Sequence, residues 1–274
     1  MVTHQADLLD RDRVDRLIGE LRPQWVFHLA ALSSPAASWD DPGATIATNV
    51  GMEANLLRAL VRQDPMPRVL VIGSGDEYGR PSGRNRRLDE SAPLRPITPY
   101  GVSKVAQDLL GLQYHLSHGL PAVRVRPFNH AGPRQDPAFA IASFAQQLAR
   151  IESGSQPPIL KVGNLAARRD FTDVRDMVRG YRLALEKGKP GEVYNLGSGV
   201  APRLRDVLTR LLRLTTARVT VEVDAARSRP AEAAVYVSDA GRFRRLTGWR
   251  PEIPIERTLR DTLDYWRRSE RRVA

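Results

Sequence analysis

The stretch Arg68-Val69-Leu70-Val71-Ile72-Gly73-Ser74-Gly75-Asp76-Glu77-Tyr78-Gly79 decides the fold. Residues 69–72 form a short apolar run without alternation, the pattern of a strand buried on both faces of a parallel sheet. Gly73 ends it. Ser74 then falls at the carboxyl edge of the sheet, where open α/β sheets bind their ligands. Two more runs read as buried parallel strands, Trp25-Val26-Phe27-His28-Leu29-Ala30-Ala31 and Ala122-Val123-Arg124-Val125-Arg126-Pro127-Phe128. Helical patterns separate them: Asp7 to Leu21, Asn49 to Arg62 (with Met52, Leu56, Leu57 and Leu60 on one face) and Tyr100 to Ser117. Gly75 to Pro99 reads as a polar loop. Strands alternating with helices predict an α/β protein with a doubly wound parallel sheet.

The second half is less regular. Helices are expected over Phe139–Glu152, Asp173–Lys187, Leu204–Leu214 and Ile255–Trp266, and strands over Ile159–Gly163, Val193–Gly197 and Val219–Val223. The domain expectation follows. Residues 1–128 form a partial dinucleotide-binding domain to which 168–198 return, and 129–167 with 199–274 form a smaller substrate-binding lobe.

The chain has 274 residues, 42 basic against 31 acidic, a net charge of +11 and no cysteine. Disulfides, thiolate metal sites and cysteine nucleophiles are therefore excluded. Five histidines without ligand spacing give no metal site. The basic residues are scattered instead of forming one patch, so no nucleic-acid partner is expected. Lysine occurs only at 104, 161, 187 and 189, and the remaining cations are arginine. No apolar run is long enough to span a membrane and no export signal is visible, so a cytoplasmic location is expected.

The chemistry concentrates on Ser74, Asp76, Tyr100 and Lys104. Tyr100 and Lys104 are four residues apart, which puts both on one helix face. A phenol titrates near ~10, and a cation held beside it is expected to lower that value. A hydroxyl such as Ser74 holds a carbonyl oxygen while Tyr100 exchanges the proton, which equips the site for hydride transfer at an alcohol or ketone carbon. Each reading has a plainer rival. The Tyr-x-x-x-Lys pair also fits a solvated helix face, and Ser74 to Gly79 also fits a turn. Asp76 serves as a base or hydrogen-bonds a substrate hydroxyl. Asp7 accepts from an adenine amino group or caps the next helix. Leu29-Ala30-Ala31 lets a dinucleotide backbone approach or simply packs. Arg169, Arg227 and Arg229 grip phosphate or lie on the surface. His130 reads as polar packing at the site rim.

Hydride chemistry calls for a nicotinamide cofactor, usually cradled by a glycine-rich strand-to-helix turn. The chain opens on Met1-Val2-Thr3-His4-Gln5-Ala6-Asp7-Leu8-Leu9-Asp10, without that turn. This opening reads as the end of a strand followed by a helix, already inside a nucleotide-binding sheet.

Taken in order, Asp7-Leu8, His28 to Ala31, Asn49, Ser74 to Gly79, Tyr100 to Lys104, Arg126 to Asn129, Arg169-Asp170-Phe171, Tyr194 to Gly197 and Thr247 to Pro251 resemble the extended short-chain dehydrogenase/reductases, in their sugar-nucleotide epimerase/dehydratase branch. Ser74 to Gly79 with Arg126 to Pro133 looks most like the GDP-6-deoxy-4-keto-mannose reductases, sisters of the GDP-mannose 4,6-dehydratases. The resemblance implies a Rossmann-like sheet missing its first β-α-β unit. It implies NAD(P)H, with NADPH preferred, and reduction of the C4 ketone of a GDP-linked 4-keto-6-deoxy-hexose. Tyr100 would give the proton to O4, Ser74 would polarise the C4 carbonyl, and Lys104 would bind the nicotinamide ribose and lower the tyrosine pKa. Asp76 falls where the dehydratases carry a glutamate base. Asn129, Arg169 and Arg229 would hold the GDP moiety. Asp7, Leu8, Leu29, Ala30, Ala31, Asn49, Pro127 and His130 would join Tyr100 and Lys104 at the cofactor. A homodimer through the helices around 49–62 and 100–117 is implied. The alternatives are a GDP-mannose 4,6-dehydratase or a nucleotide-sugar 4-epimerase and, in another class, an inactive truncated remnant that dimerises. Without the glycine-rich turn, the expectation is a truncated chain with exposed core and weak cofactor binding.

Overall fold

The computed structural model describes residues 2–80, 87–224, 235 and 237–271. In chain order the elements are α1 (Arg11–Leu21), β1 (Trp25–His28), α2 (Pro42–Leu60), β2 (Arg68–Ile72), β3 (Arg87–Leu88), α3 (Pro99–His118), β4 (Ala122–Pro127), β5 (His130–Ala131), α4 (Ala140–Glu152), β6 (Ile159–Val162), β7 (Thr172–Asp173), α5 (Val174–Lys187), β8 (Val193–Leu196), α6 (Leu204–Leu212), β9 (Thr220–Val223), β10 (Val237–Ser238), α7 (Gly241–Thr247) and α8 (Ile255–Glu270).

Among the described residues, β1, β2, β4 and β8 form one parallel sheet in that order. The two-residue period of a strand sends β2 side chains to opposite faces. Leu70 and Ile72 join Val123 and Val125 of β4 against Met177, Tyr181, Ala184 and Leu185 of α5. Val69 joins Ala122 against Val14 and Ile18 of α1 and Leu56, Leu57 and Leu60 of α2. Helices on both faces make the sheet doubly wound, as the alternation predicts. Helix starts are fixed locally: Asp41 accepts from Ala44 N at 2.8 Å ahead of Pro42, and Thr98 accepts from Gly101 N at 2.9 Å ahead of Pro99.

The first strand departs from expectation. It ends at His28, and Trp25, Phe27 and Leu29 are exposed because, among the described residues, β1 has a neighbouring strand on one side only. Residues 2–7 hold no strand, and α1 starts at Arg11 with Asp10 as its cap, accepting from Arg13 N at 3.0 Å. Asp7 instead accepts from Leu9 N at 2.9 Å, a local turn on the surface.

A second core joins α4, α6 and α8 to β6, through Phe144, Leu148, Leu160, Val207, Leu211, Leu259 and Leu263. Its strands β6 and β9 pair in parallel. Residues 240–249 do not follow it. Ala240, Phe243 and Trp249 pack into the sheet core beside Tyr194, and β10 pairs with β3, so this part of the expected lobe lies on the sheet.

Candidate active site

Ser74, one residue past Gly73 at the end of β2, caps a turn over Gly75–Glu77. Its hydroxyl accepts from Asp76 N at 3.1 Å, and Glu77 Oε1 accepts from Ser74 N at 2.7 Å. The Ser-x-x-Glu spacing is a capping box legible in the sequence, although its glutamate had no assigned role. Glu77 is fully buried and pairs with Arg126, Nε to Oε2 2.9 Å. The serine is therefore held from behind by the interior of the sheet.

Tyr100 and Lys104 lie in the first two turns of α3, on one face, both buried. Gly101 lets the helix come this close: a Cβ there would stand 2.9 Å from the Asp76 carbonyl oxygen. The approach closes the site, and the Ser74 hydroxyl hydrogen-bonds the Tyr100 phenol. Lys104 Nζ donates to Ile72 O at 2.9 Å and lies 5.8 Å from the centre of the Tyr100 ring. The three predicted side chains meet at the carboxyl end of β2, with Asp76 close enough to act electrostatically on the phenol.

The phenol is raised here, not lowered. Burial pushes Tyr100 up from its ordinary value and the Asp76 carboxylate adds to this, against the Ser74 hydrogen bond. The ammonium of Lys104 is anchored on a main-chain carbonyl, not on the phenol oxygen. Burial also brings Lys104 down to about 8, with Glu53 and Glu77 holding it up against that pull. Tyr100 is thus a neutral acid at neutral pH.

Other predicted residues fall into two groups. Asn129, after β4, accepts from Thr172 N at 2.9 Å, which brings Arg169 and its segment beside it. The Arg169 guanidinium folds onto Arg168 O at 2.8 Å. His130 is half-buried in β5, its Nδ1 3.2 Å from Phe128 O, and burial lowers its pKa. Ala31 lines an open cleft of about 350 Å³ together with Ser34, Asp41, Asp136 and Phe139, and Leu29 and Ala30 are exposed just before it. Leu8 is half-buried against the α1–α2 core, with its carbonyl accepting from Asn55. Two residues have other jobs. Asn49 has no exposed surface. Its Oδ1 accepts from Leu32 N at 2.7 Å and its Nδ2 donates to Ser103 Oγ at 2.9 Å, so it ties α2 to α3 and to the loop after β1. Pro127 is buried within β4 beside Leu196. Arg227 and Arg229 lie outside the described residues.

Within Arg169-Asp170-Phe171 the aspartate had no predicted role. Asp170 is buried and accepts from Ser198 N, Ser198 Oγ, Gly199 N, Ser238 N and Ser238 Oγ at 2.5–3.0 Å. It fastens the loop after β8 and strand β10 to one point.

His28, at the end of β1, is buried, with Nε2 3.5 Å from Gln107 Nε2. Burial first, and Lys104 second, lower its pKa to about 4. An unfolded histidine takes up its proton near ~6.5, before the folded one does. The folded value is the lower one, so stability is complete above ~6.5 and falls as pH drops towards 4, by on the order of 3 kcal/mol in total from this group. Urea titrations at pH 7, 5.5 and 4.5 check this: His28→Asn should show a shallower loss than the parent, and parallel losses would refute it.

A nicotinamide dinucleotide fits the nicotinamide end of this site. An ammonium has three donors, and among the described residues Ile72 O is the one hydrogen-bond partner of Lys104 Nζ, leaving two for a ribose diol. The GDP-mannose 4,6 dehydratase family model matches residues 1–262. The GDP-6-deoxy-D-mannose reductase of Pseudomonas aeruginosa is 37% identical over 265 residues, covering 97% of this chain and 87% of that protein. A dTDP-glucose 4,6-dehydratase of Streptomyces antibioticus is 33% identical over 264 residues, covering 96% and 75%. The structure of RMD from Pseudomonas aeruginosa complexed with NADPH superposes with a TM-score of 0.91 at 36% identity, covering 98% of this chain and 89% of that one. The UDP-glucose 4-epimerase of Thermus thermophilus in complex with NAD gives 0.83 at 32% identity, covering 96% and 83%. A serine and a tyrosine in hydrogen-bond contact at the end of a parallel strand, in a chain matched nearly end to end, place this protein in the GDP-mannose 4,6 dehydratase family.

Proposed function

We propose that the chain reduces the C4 ketone of a GDP-linked 4-keto-6-deoxy-hexose with NADPH. The observation that carries this is the hydrogen bond between Ser74 and a Tyr100 phenol that burial keeps protonated. A protonated phenol is a proton donor, which reduction needs. The GDP-6-deoxy-D-mannose reductase of Pseudomonas aeruginosa, 37% identical, supports the substrate class, and NADPH in the RMD structure supports the cofactor.

In this mechanism a bound nicotinamide would supply the hydride for C4. Ser74 donates to the ketone oxygen and polarises it, and Tyr100 delivers the proton to that oxygen as charge develops there. Lys104, anchored at Ile72 O, would hold the ribose hydroxyls with its two remaining donors. Asp76 accepts from a sugar hydroxyl beside the reacting carbon. Asn129 and Arg169 hold the nucleotide from the mouth of the second core.

The active form is a cytoplasmic homodimer joined through α2 and α3. Val102, Leu109 and Leu116 support this: they recur every seven residues on α3 and are all exposed. No described helix is long and apolar enough to cross a membrane.

The test offers the full chain NADPH with either GDP-4-keto-6-deoxy-mannose or GDP-mannose. NADPH oxidation with the keto sugar alone is the expected result. A keto product from GDP-mannose alone would assign the dehydratase reaction, and no turnover with no measurable NADPH binding would assign the non-catalytic remnant.

A further inference from the structure

Glu53 sits in the middle of α2 with no exposed surface, and neither carboxyl oxygen has a hydrogen-bond partner of ordinary geometry among the described residues. A carboxyl group sealed in a helix interface without partners is costly unless it meets a cation or keeps its proton. Glu53 stands one turn beyond Asn49 on α2, so both face the same side. That side meets α3, where Ser103, Lys104, Gln107 and Asp108 are buried in a row. Gln107 donates to Asn49 O at 2.9 Å, and its amide is also the side-chain donor that pulls Glu53 down. Its own Oε1 is also without a partner. Both Glu53 oxygens and Gln107 Oε1 are therefore short of donors in this interface, and the cation that acts on Glu53 is Lys104.

We propose that Glu53 is the buried counter-charge of Lys104, a positioning residue that acts on it across the α2–α3 interface and so sets the charge of the lysine behind Tyr100. The groups around the pair are all charged or titratable: Asp108 on α3, His28 at the end of β1, Glu77 after β2, and Arg124 and Arg126 on β4. Burial, and Asp108 with it, raises Glu53 while Lys104 lowers it. Burial brings Lys104 to about 8, and Glu53 opposes that fall more than Glu77 does. The role deepens the reductase reading and rests on it, but the pair itself can be tested without substrate.

The chain has four lysines, and Lys161, Lys187 and Lys189 are exposed. Carbon-13 lysine labelling with pH titration by NMR therefore isolates Lys104, assigned by its loss in Lys104→Met. The expected Lys104 midpoint is about 8 in the unmodified chain. It falls by about one pH unit or more, a tenfold change in the equilibrium, in Glu53→Gln, and by less in Glu53→Asp. With glutamate labelling, one carboxyl carbon of the unmodified chain, missing from Glu53→Asp, should move in step with Lys104 because a coupled pair titrates jointly. An unchanged Lys104 midpoint in folded Glu53→Gln overturns the proposal. So does the lack of a carboxyl signal following Lys104 in the unmodified chain, whether or not the variant folds. Loss of turnover with an intact joint titration would fault the reductase reading and leave the pair standing.

Discussion

Tyr100→Phe should lower kcat for the keto sugar by about 10²–10⁴-fold while leaving KM within a few-fold. The ring is buried at the start of α3, and phenylalanine fills the same space. What is lost is one hydroxyl and its hydrogen bond with Ser74, worth about 1 kcal/mol of stability. No buried charge is created, because burial already keeps the phenol neutral. The variant should therefore fold and bind as the parent does, and fail only where a proton must reach the ketone oxygen. Ser74 remains to polarise the carbonyl, which leaves a residual rate. Steady-state NADPH oxidation with denaturation on the same samples makes the comparison. A variant that turns over at the parental rate would remove Tyr100 from the chemistry.

That prediction draws on residues legible in the sequence, and the reasons are local. Strand β2 is buried on both faces, so its apolar run has no other reading, and Tyr100 and Lys104 follow a Thr-Pro helix start. Ser74 and Asp76 were visible as a polar turn at the strand end. Less legible was anything decided by distant partners. The apolar run Trp25–Ala31 looks the same whether its strand has neighbours on one side or two, yet in the fold Trp25, Phe27 and Leu29 are exposed. Helix α7 is too short for its period to show, and its place on the sheet depends on Phe243 and Trp249 meeting Tyr194. Asn49 is a tether because Leu32 and Ser103 happen to meet it, and sequence spacing cannot supply those partners. The phenol of Tyr100 misled for the same reason. A nearby lysine is readable at four residues' distance, but the burial that outweighs it belongs to the whole fold.

Burial also makes Asp108 the most sensitive single charge behind the site. It lies on α3 one turn beyond Lys104, without exposed surface. Its Oδ2 accepts from Arg124 Nη1 at 3.0 Å and Arg126 Nη2 at 2.6 Å, both arginines buried in β4. Arg126 also pairs with Glu77, which in turn holds the backbone N–H of Ser74. Asp108→Asn keeps the size of the side chain and removes its charge, leaving two guanidiniums facing each other in the interior. Breaking a buried pair in this way costs about 3–5 kcal/mol. The expected loss in urea unfolding is in that range, with a fall in kcat as Glu77 shifts towards the arginines that have lost Asp108. Removing Arg124 as well, as Asp108→Leu with Arg124→Met, leaves Arg126 paired with Glu77 and should recover most of the stability, because the penalty comes from stranded charge and not from lost volume. Turnover should return with it, since Glu77 keeps the partner that holds Ser74 in place. If Asp108→Asn costs less than about 1 kcal/mol, the range of an exposed pair, the charges are not buried as the structure has them.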